Sequence, residues 1–231
     1  MGTFALGQRV EVDTFRLTQS ERFSDLQSEK MNFPIVRTGN GRVDSLINLD
    51  LKNSVTSSTD LNASLDSALS RWVGDQIMYL DFQVSFNDDG ILSLQVFVEG
   101  CGANCSGWTE YFNYSTTSGK RLAIGHVVDT NGAFRACVYN DKAVQYANEK
   151  RKLSMLVNDP ESDFDPSLYA LVLERYEDCE NSFRLASFVI HPHHIEVIAH
   201  CYLPNALKHL TPEISLRYDK AAIEPYLTKE P

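Results

Sequence analysis

The chain has 231 residues, with 31 acidic against 21 basic side chains and a formal net charge of -10. A field of that sign repels nucleic acid and anionic lipid, so no nucleic-acid partner is expected and a basic protein partner is favoured. Hydrophobic residues at 43% and charged ones at 23% describe a globular chain that buries its own core, and no run approaches the ~18 apolar residues a membrane span requires.

In chain order, Gln8 to Leu17 alternates as a first strand. Met31 to Arg37 reads as a second, confined to a sheet edge because Pro34 has no N–H to donate. The polar stretch Ser20 to Glu29 between them reads as a loop or short helix. Past the Gly39-Asn40-Gly41 turn, Val43, Leu46, Ile47, Leu51 and Val55 recur at helical spacing and predict an amphipathic helix. Asp60 is a candidate cap for a second helix over Leu61 to Gln76. Asp89-Gly90 between two β-rich runs predicts a tight hairpin, because primed turns need positive φ. Met78 to Phe86 should therefore pair with Ile91 to Val98. Ser118-Gly119 predicts another hairpin, joining Tyr111 to Ser115 with Lys120 to Ile124, so that Gly100 to Gly107 becomes a cysteine-bracketed crossover in a four-stranded meander.

Ala133 to Val157 reads as helical. Asp165-Pro166 predicts a capped helix running to about Glu180. Phe183 to Ile190 and Ile195 to Tyr202 read as strands around a His191-Pro192-His193-His194 turn, followed by a strand over Glu213 to Tyr218 and a terminal helix over Lys220 to Leu227. The sum is one α+β domain over 1–231, mostly antiparallel, with helices packed on one face. Within it, 1–77 holds two strands and two helices, and 78–231 holds the meander, further helices and the C-terminal hairpin.

Five cysteines are many for a reducing compartment, and the odd number leaves at least one thiol unpaired. Cys101 and Cys105 bracket Gly102-Ala103-Asn104 and are the disulfide candidate, a loop clamp. No second pair follows at zinc-ligand spacing. His191, His193, His194 and His200 form a solvated turn rather than a metal site, since extended neighbours point apart and Pro192 forces a bend. Nucleophile-elbow, HExxH, P-loop and GxGxxG patterns are all missing, so neither a cofactor nor a catalytic constellation is expected. The acids near the central strands leave a glycan hydrolase as a residual reading. The first twenty residues have neither a basic n-region nor an apolar h-region. An envelope or periplasmic location then requires that a signal peptide was removed, the alternative being the cytoplasm.

Three segments carry a family resemblance. Phe33-Pro34-Ile35-Val36 with Ile47-Asn48, then Ile91-Leu92-Ser93-Leu94 with Phe112-Asn113-Tyr114 and Thr117-Ser118-Gly119-Lys120-Arg121-Leu122, and finally Ile195 to Leu227 occur in that order. Together they resemble the paired bacterial domain of unknown function found in lysozyme-sensing anti-sigma factors and in front of peptidoglycan deacetylases. The resemblance implies an extracytoplasmic α+β binding domain. This chain lacks the sigma-binding tail and the deacetylase domain, so those roles do not transfer. The expected function is non-catalytic: recognition and neutralisation of a partner protein such as a toxin or lysozyme-like hydrolase, as an immunity protein or inhibitor. Glu99, Asn104, Trp108, Glu110 and Tyr111 are the partner-binding candidates. The alternative is a peptidoglycan-binding module that stacks sugars on Trp108 and Tyr111.

Overall fold

The computed structural model describes residues 9–17, 31–57, 60, 62–74 and 76–228. The predicted segment Ser20 to Glu29 and the first eight residues lie outside them. The architecture is α+β, with antiparallel strand pairing, and the chain divides into two compact units. The first comprises Met1–Ala123 with Val189–Pro192 and Pro231, and the second Ile124–Phe188 with His193–Glu230.

In the first unit, β1 (Glu11–Arg16) pairs antiparallel with β2 (Asn32–Arg37), and Pro34 faces Thr14 in that two-stranded sheet. Helix α1 (Gly41–Thr56) follows, with the Asn40 side chain accepting from the Arg42 and Val43 N–H groups as its N-cap. Val43, Ile47, Leu51 and Val55 are buried, as their spacing predicts. Asn48 fixes the docking of this helix. Its Oδ1 accepts from the Val36 N–H at 2.8 Å and its Nδ2 donates to the Val36 carbonyl at 2.9 Å, so one amide satisfies both backbone groups of an edge-strand residue. Helix α2 (Leu65–Gly74) begins later than predicted, because Ser64 rather than Asp60 turns its hydroxyl to a helical N–H, that of Ser67.

The central sheet has the order β3 (Ile77–Asp88), β4 (Ile91–Cys101), β5 (Cys105–Ser115). Asp89 and Gly90 have φ of 52° and 76°, the left-handed pair that the Asp-Gly signal anticipates. The expected four-stranded meander is corrected to three strands. β4 and β5 pair without interruption from Ile91–Ser115 to Cys101–Cys105, so the cysteine loop is a hairpin tip and not a crossover. After Ser115 the chain turns back for one bridge, Tyr114 to Arg121, and then leaves. Alternation puts Leu92, Leu94, Val96 and Val98 of β4 with Phe112 and Tyr114 of β5 on the core face, all buried. On the other face Ser93 is fully buried: its hydroxyl donates to Asn113 Oδ1 at 2.7 Å and accepts from the Ile190 N–H at 3.1 Å.

The second unit is built on α3 (Ala133–Asn158) and α4 (Tyr169–Ser182). Asp165 accepts from the Ser167 N–H as expected, although the first turn, Pro166–Leu168, is a tight 3-10 turn. Tyr146, Leu153, Val172, Tyr176 and Leu207 form the core. Lys142 is buried among Tyr139 and Phe183, with its ammonium donating to the Glu180 carbonyl at 2.7 Å. Here too an amide stands in for backbone, Gln145 closing both polar groups of Ser215 at 2.7 and 2.8 Å. Strand β6 (Phe188–Ile190) precedes a turn. β7 (His194–Val197) then pairs antiparallel with β8 (Leu216–Asp219), and α5 (Lys220–Ile223) runs into a final 3-10 turn, Glu224–Tyr226. These strands are shorter than their β-rich runs, since Ile198 to Pro204 carries no ladder.

Cys101–Cys105 form the expected disulfide and Cys179–Cys201 a second, leaving Cys137 as the free thiol. A cross-link restricts the unfolded chain more when it closes a longer loop. Removing Cys179–Cys201 by paired serine substitution should therefore destabilise the second unit by about 3 kcal/mol, and removing Cys101–Cys105 should destabilise the first by about 2 kcal/mol. Hydrogen exchange read separately for α4 and β4 checks both values and their order.

Candidate functional site

The tip of the β4–β5 hairpin carries the five predicted contact residues, and the strand register divides them. Val98 faces Trp108 and Val96 faces Glu110, which places both on the core face. Glu99 faces Gly107 and Gln95 faces Tyr111, on the opposite face. Asn104 lies exposed in the turn itself. Trp108 is half-buried against the core, its Nε1 donating to Glu110 Oε1 at 3.4 Å. Trp108 and Tyr111 therefore do not form one stacking platform. Gly100 allows the close packing, since a Cβ there would lie 3.0 Å from Ile77 Cδ1 and 3.6 Å from Trp108 Cζ3.

Burial pushes the Glu110 carboxyl up, against the Trp108 hydrogen bond and the Arg121 charge, which both pull it down. Glu99 is exposed by comparison. Its carboxylate lies within 4.8 Å of the Cys101 and Cys105 sulfurs, but those are bonded to each other and offer no thiolate to an ion. Two other acids of the sheet are engaged in the fold. Asp81 accepts from Asn32 Nδ2 and the Phe82 N–H, and Asp88 from the Asp89 N–H. Among the histidines, His194 meets Arg217 at 3.0 Å across β7–β8 and His200 stacks on Tyr202.

At the other end of β5 lies a feature the sequence reading did not single out. Between the N-terminal half of α1 and the segment Thr117–Arg121 is an open cleft of about 520 Å³. Val43 and Leu46 give it an apolar floor, and Arg42, Lys120 and Arg121 line it with Asp50. The Tyr114 hydroxyl donates to Asp50 Oδ2 at 2.6 Å. Burial in the first place, then Asp50, raises the Tyr114 phenol far above its usual range, so it remains a donor. Arg121 is held on several sides. It lies 4.5 Å over the Phe112 ring, 3.9 Å from Asp50, and donates to the Tyr111 carbonyl at 3.0 Å and to Ser54 Oγ at 3.3 Å. Gly119 closes the bottom at φ 74°, where a Cβ would lie 3.0 Å from Leu46 Cβ and 3.1 Å from the Val43 carbonyl. The signal for this cleft was already in the sequence, in the Gly119-Lys120-Arg121 run opposite the Asn40 cap.

The comparisons give a fold. A structure of a DUF3298 family member from Bacteroides fragilis NCTC 9343 matches with a TM-score of 0.58 at 11% identity, over 96% of this chain and 95% of that one. A DUF3298 family protein from Pseudomonas aeruginosa PAO1 gives a TM-score of 0.48 at 14% identity, over 95% and 93%. No family model and no curated protein matches the sequence. The fold is thus DUF3298-like, in keeping with the domain of unknown function that the motifs resemble.

Two substitutions test this geometry. Gly119→Ala should destabilise the first unit by about 3 kcal/mol, combining left-handed strain with overlap against α1. Gly90→Ala, which meets only Thr117 Cγ2 at 3.8 Å, should show the conformational penalty alone, about 1 kcal/mol. Urea titration compares them. For Glu110, a raised folded-state value means that the folded protein holds the proton more tightly than the unfolded chain. The resulting penalty is absent below the unfolded value of about 4.3 and complete once pH has risen through the folded value. Glu110→Gln keeps the acceptor for Trp108. It should stabilise at pH 7 by less than about 1 kcal/mol after solvent screening, and not at all near pH 3.5, in melts at the two pH values.

Proposed function

We propose that this chain is a non-catalytic binding domain that recognises and neutralises a basic partner protein, as an immunity protein or an inhibitor of a toxin or lysozyme-like hydrolase does. The observation that carries the reading is the charge of the central sheet. From Ile77 to Ser115 it holds Asp81, Asp88, Asp89, Glu99 and Glu110 and no Lys, Arg or His. Fixed carboxylates on a rigid sheet steer a cationic partner and suppress acidic ones. The Cys101–Cys105 bond holds the hairpin tip in one conformation, which reduces the ordering penalty of binding. Asn104 at the turn and Glu99 on the exposed face are the first contacts. Trp108 and Glu110 support the tip from its core side. The two disulfides favour an oxidising compartment such as the cell envelope. The name "DUF3298" adds no partner of its own.

The peptidoglycan-binding alternative is less well supported, because Trp108 and Tyr111 lie on opposite faces of β5. A glycan hydrolase requires two carboxylates facing one cleft; the cleft beside α1 contains a single acid, Asp50, and a second, smaller pocket along α3 holds Glu149 and Glu213, with Glu149 paired to Lys152 at 2.6 Å.

A biosensor measurement with non-reduced protein and a purified lysozyme as the basic probe tests the reading. Association should slow steeply with added salt. Glu99→Lys should lower the association rate several-fold at low salt with little change in dissociation. An association rate indifferent to salt and to Glu99→Lys would overturn the steering role. Retention on insoluble peptidoglycan, abolished in Trp108→Ala, would transfer the function to the carbohydrate reading.

A further inference from the structure

We infer that the cleft between α1 and Thr117–Arg121 is a binding site for a carboxylate carried on a small apolar body, such as the C-terminal residue of a peptide. The site is independent of the hairpin tip and does not rest on the basic-partner reading. Its charge runs against the rest of the molecule. In a chain of net charge -10, with no cation along the whole central sheet, Arg42, Lys120 and Arg121 meet around one concavity with a single acid.

The acid and one of the cations are already engaged. Asp50 is bound by the Tyr114 hydroxyl and faces Arg121, and Arg121 is committed to Phe112, Ser54 and the Tyr111 carbonyl. The Arg42 guanidinium and the Lys120 ammonium have no partner among the described residues. Two cations at the edge of a cleft match the two oxygens of one carboxylate. Leu46, which lines the same cleft with the buried Val43, is 44% exposed although it stands at a core-type helical position. An apolar side chain attached to the carboxylate would cover Leu46, as the apolar lining of small-ligand sites does.

The backbone separates a carboxylate from a phosphate. Phosphate cradles use free main-chain N–H groups converging on the anion. Here the Ser118 N–H goes to Ser115 Oγ, the Gly119 N–H to the Ser115 carbonyl and the Lys120 N–H to Ser118 Oγ. At the helix end, the Arg42 and Val43 N–H groups are taken by Asn40. With those N–H groups taken, the Arg42 and Lys120 side chains are the uncommitted charged donors left to an anion, which suits a carboxylate better than a tri-oxygen phosphate that a main-chain cradle would hold.

The test is titration of the full chain, followed by backbone NMR, with acetyl-Ala-Ala-Leu and N-acetyl-leucine, each against its C-terminal amide, and with inorganic phosphate. Saturable shifts at Leu46, Gly119 and Lys120 are expected with the acids, and the amides should bind at least tenfold more weakly. Arg42→Ala and Lys120→Ala, both at exposed positions, should each lower affinity about tenfold while leaving the circular dichroism unchanged. Tighter binding of the tripeptide than of N-acetyl-leucine assigns a peptide terminus as the source, and equal binding a free small carboxylate; both sustain the site. Amides binding as well as acids, phosphate binding better than either, or no saturation by about 10 mM would overturn it.

Discussion

The first unit depends on the double hydrogen bond between the Asn48 amide and Val36. An edge strand containing proline presents fewer ladder groups than its neighbours, and Val36 would otherwise bury an unpaired N–H and carbonyl. By supplying both partners from a helix, Asn48 sets the rotation of α1 against β2. That rotation sends Val43, Ile47, Leu51 and Val55 into the core, and carries Asp50 to the Tyr114 hydroxyl. Asn87 does the same for Val10, at 3.0 and 2.8 Å, and Gln145 for Ser215. In each case one side-chain amide satisfies both backbone groups of a residue in or next to a strand.

Gly119 follows from the same docking. With α1 held, the loop after β5 passes within van der Waals distance of Leu46 and the Val43 carbonyl, and only a residue without Cβ in the left-handed region fits there. The cleft is the space left beside that contact. Two of its three cations, Lys120 and Arg121, come from the segment that follows the acidic sheet and the third, Arg42, from α1, so the first unit gathers from two distant stretches of sequence the positive charge that its central sheet lacks.

Local rules carried much of the fold into view. The Asp89-Gly90 turn, the face of α1, the Asp165-Pro166 start and the Cys101–Cys105 bond all depend on residues close in sequence. What escaped depends on distant partners. The hairpin expected at Ser118-Gly119 shrinks to one bridge because Gly119 serves α1 instead of a strand. The Cys179–Cys201 bond joins segments whose proximity no local pattern records. The contact candidates lie along the β4–β5 hairpin, and two of them, Trp108 and Glu110, face its core side. Their facing follows from the register of β5, which depended on treating Gly100 to Gly107 as a hairpin tip. Asn48, Asn113, Tyr114 and Gly119, quoted for a family resemblance, each have a structural task that only tertiary contacts explain.

The bond from Ile190 to Ser93 spans 97 positions, and it bears on the order in which the chain is made. As synthesis proceeds from the N-terminus, the central sheet emerges with the Ser93 hydroxyl able to donate to Asn113 but without the N–H it accepts from. The strand residue that covers them appears after α3 and α4 have both been completed. The first unit therefore cannot close cotranslationally by itself. Its polar seam stays open to water, or to a chaperone, until Ile190 has emerged.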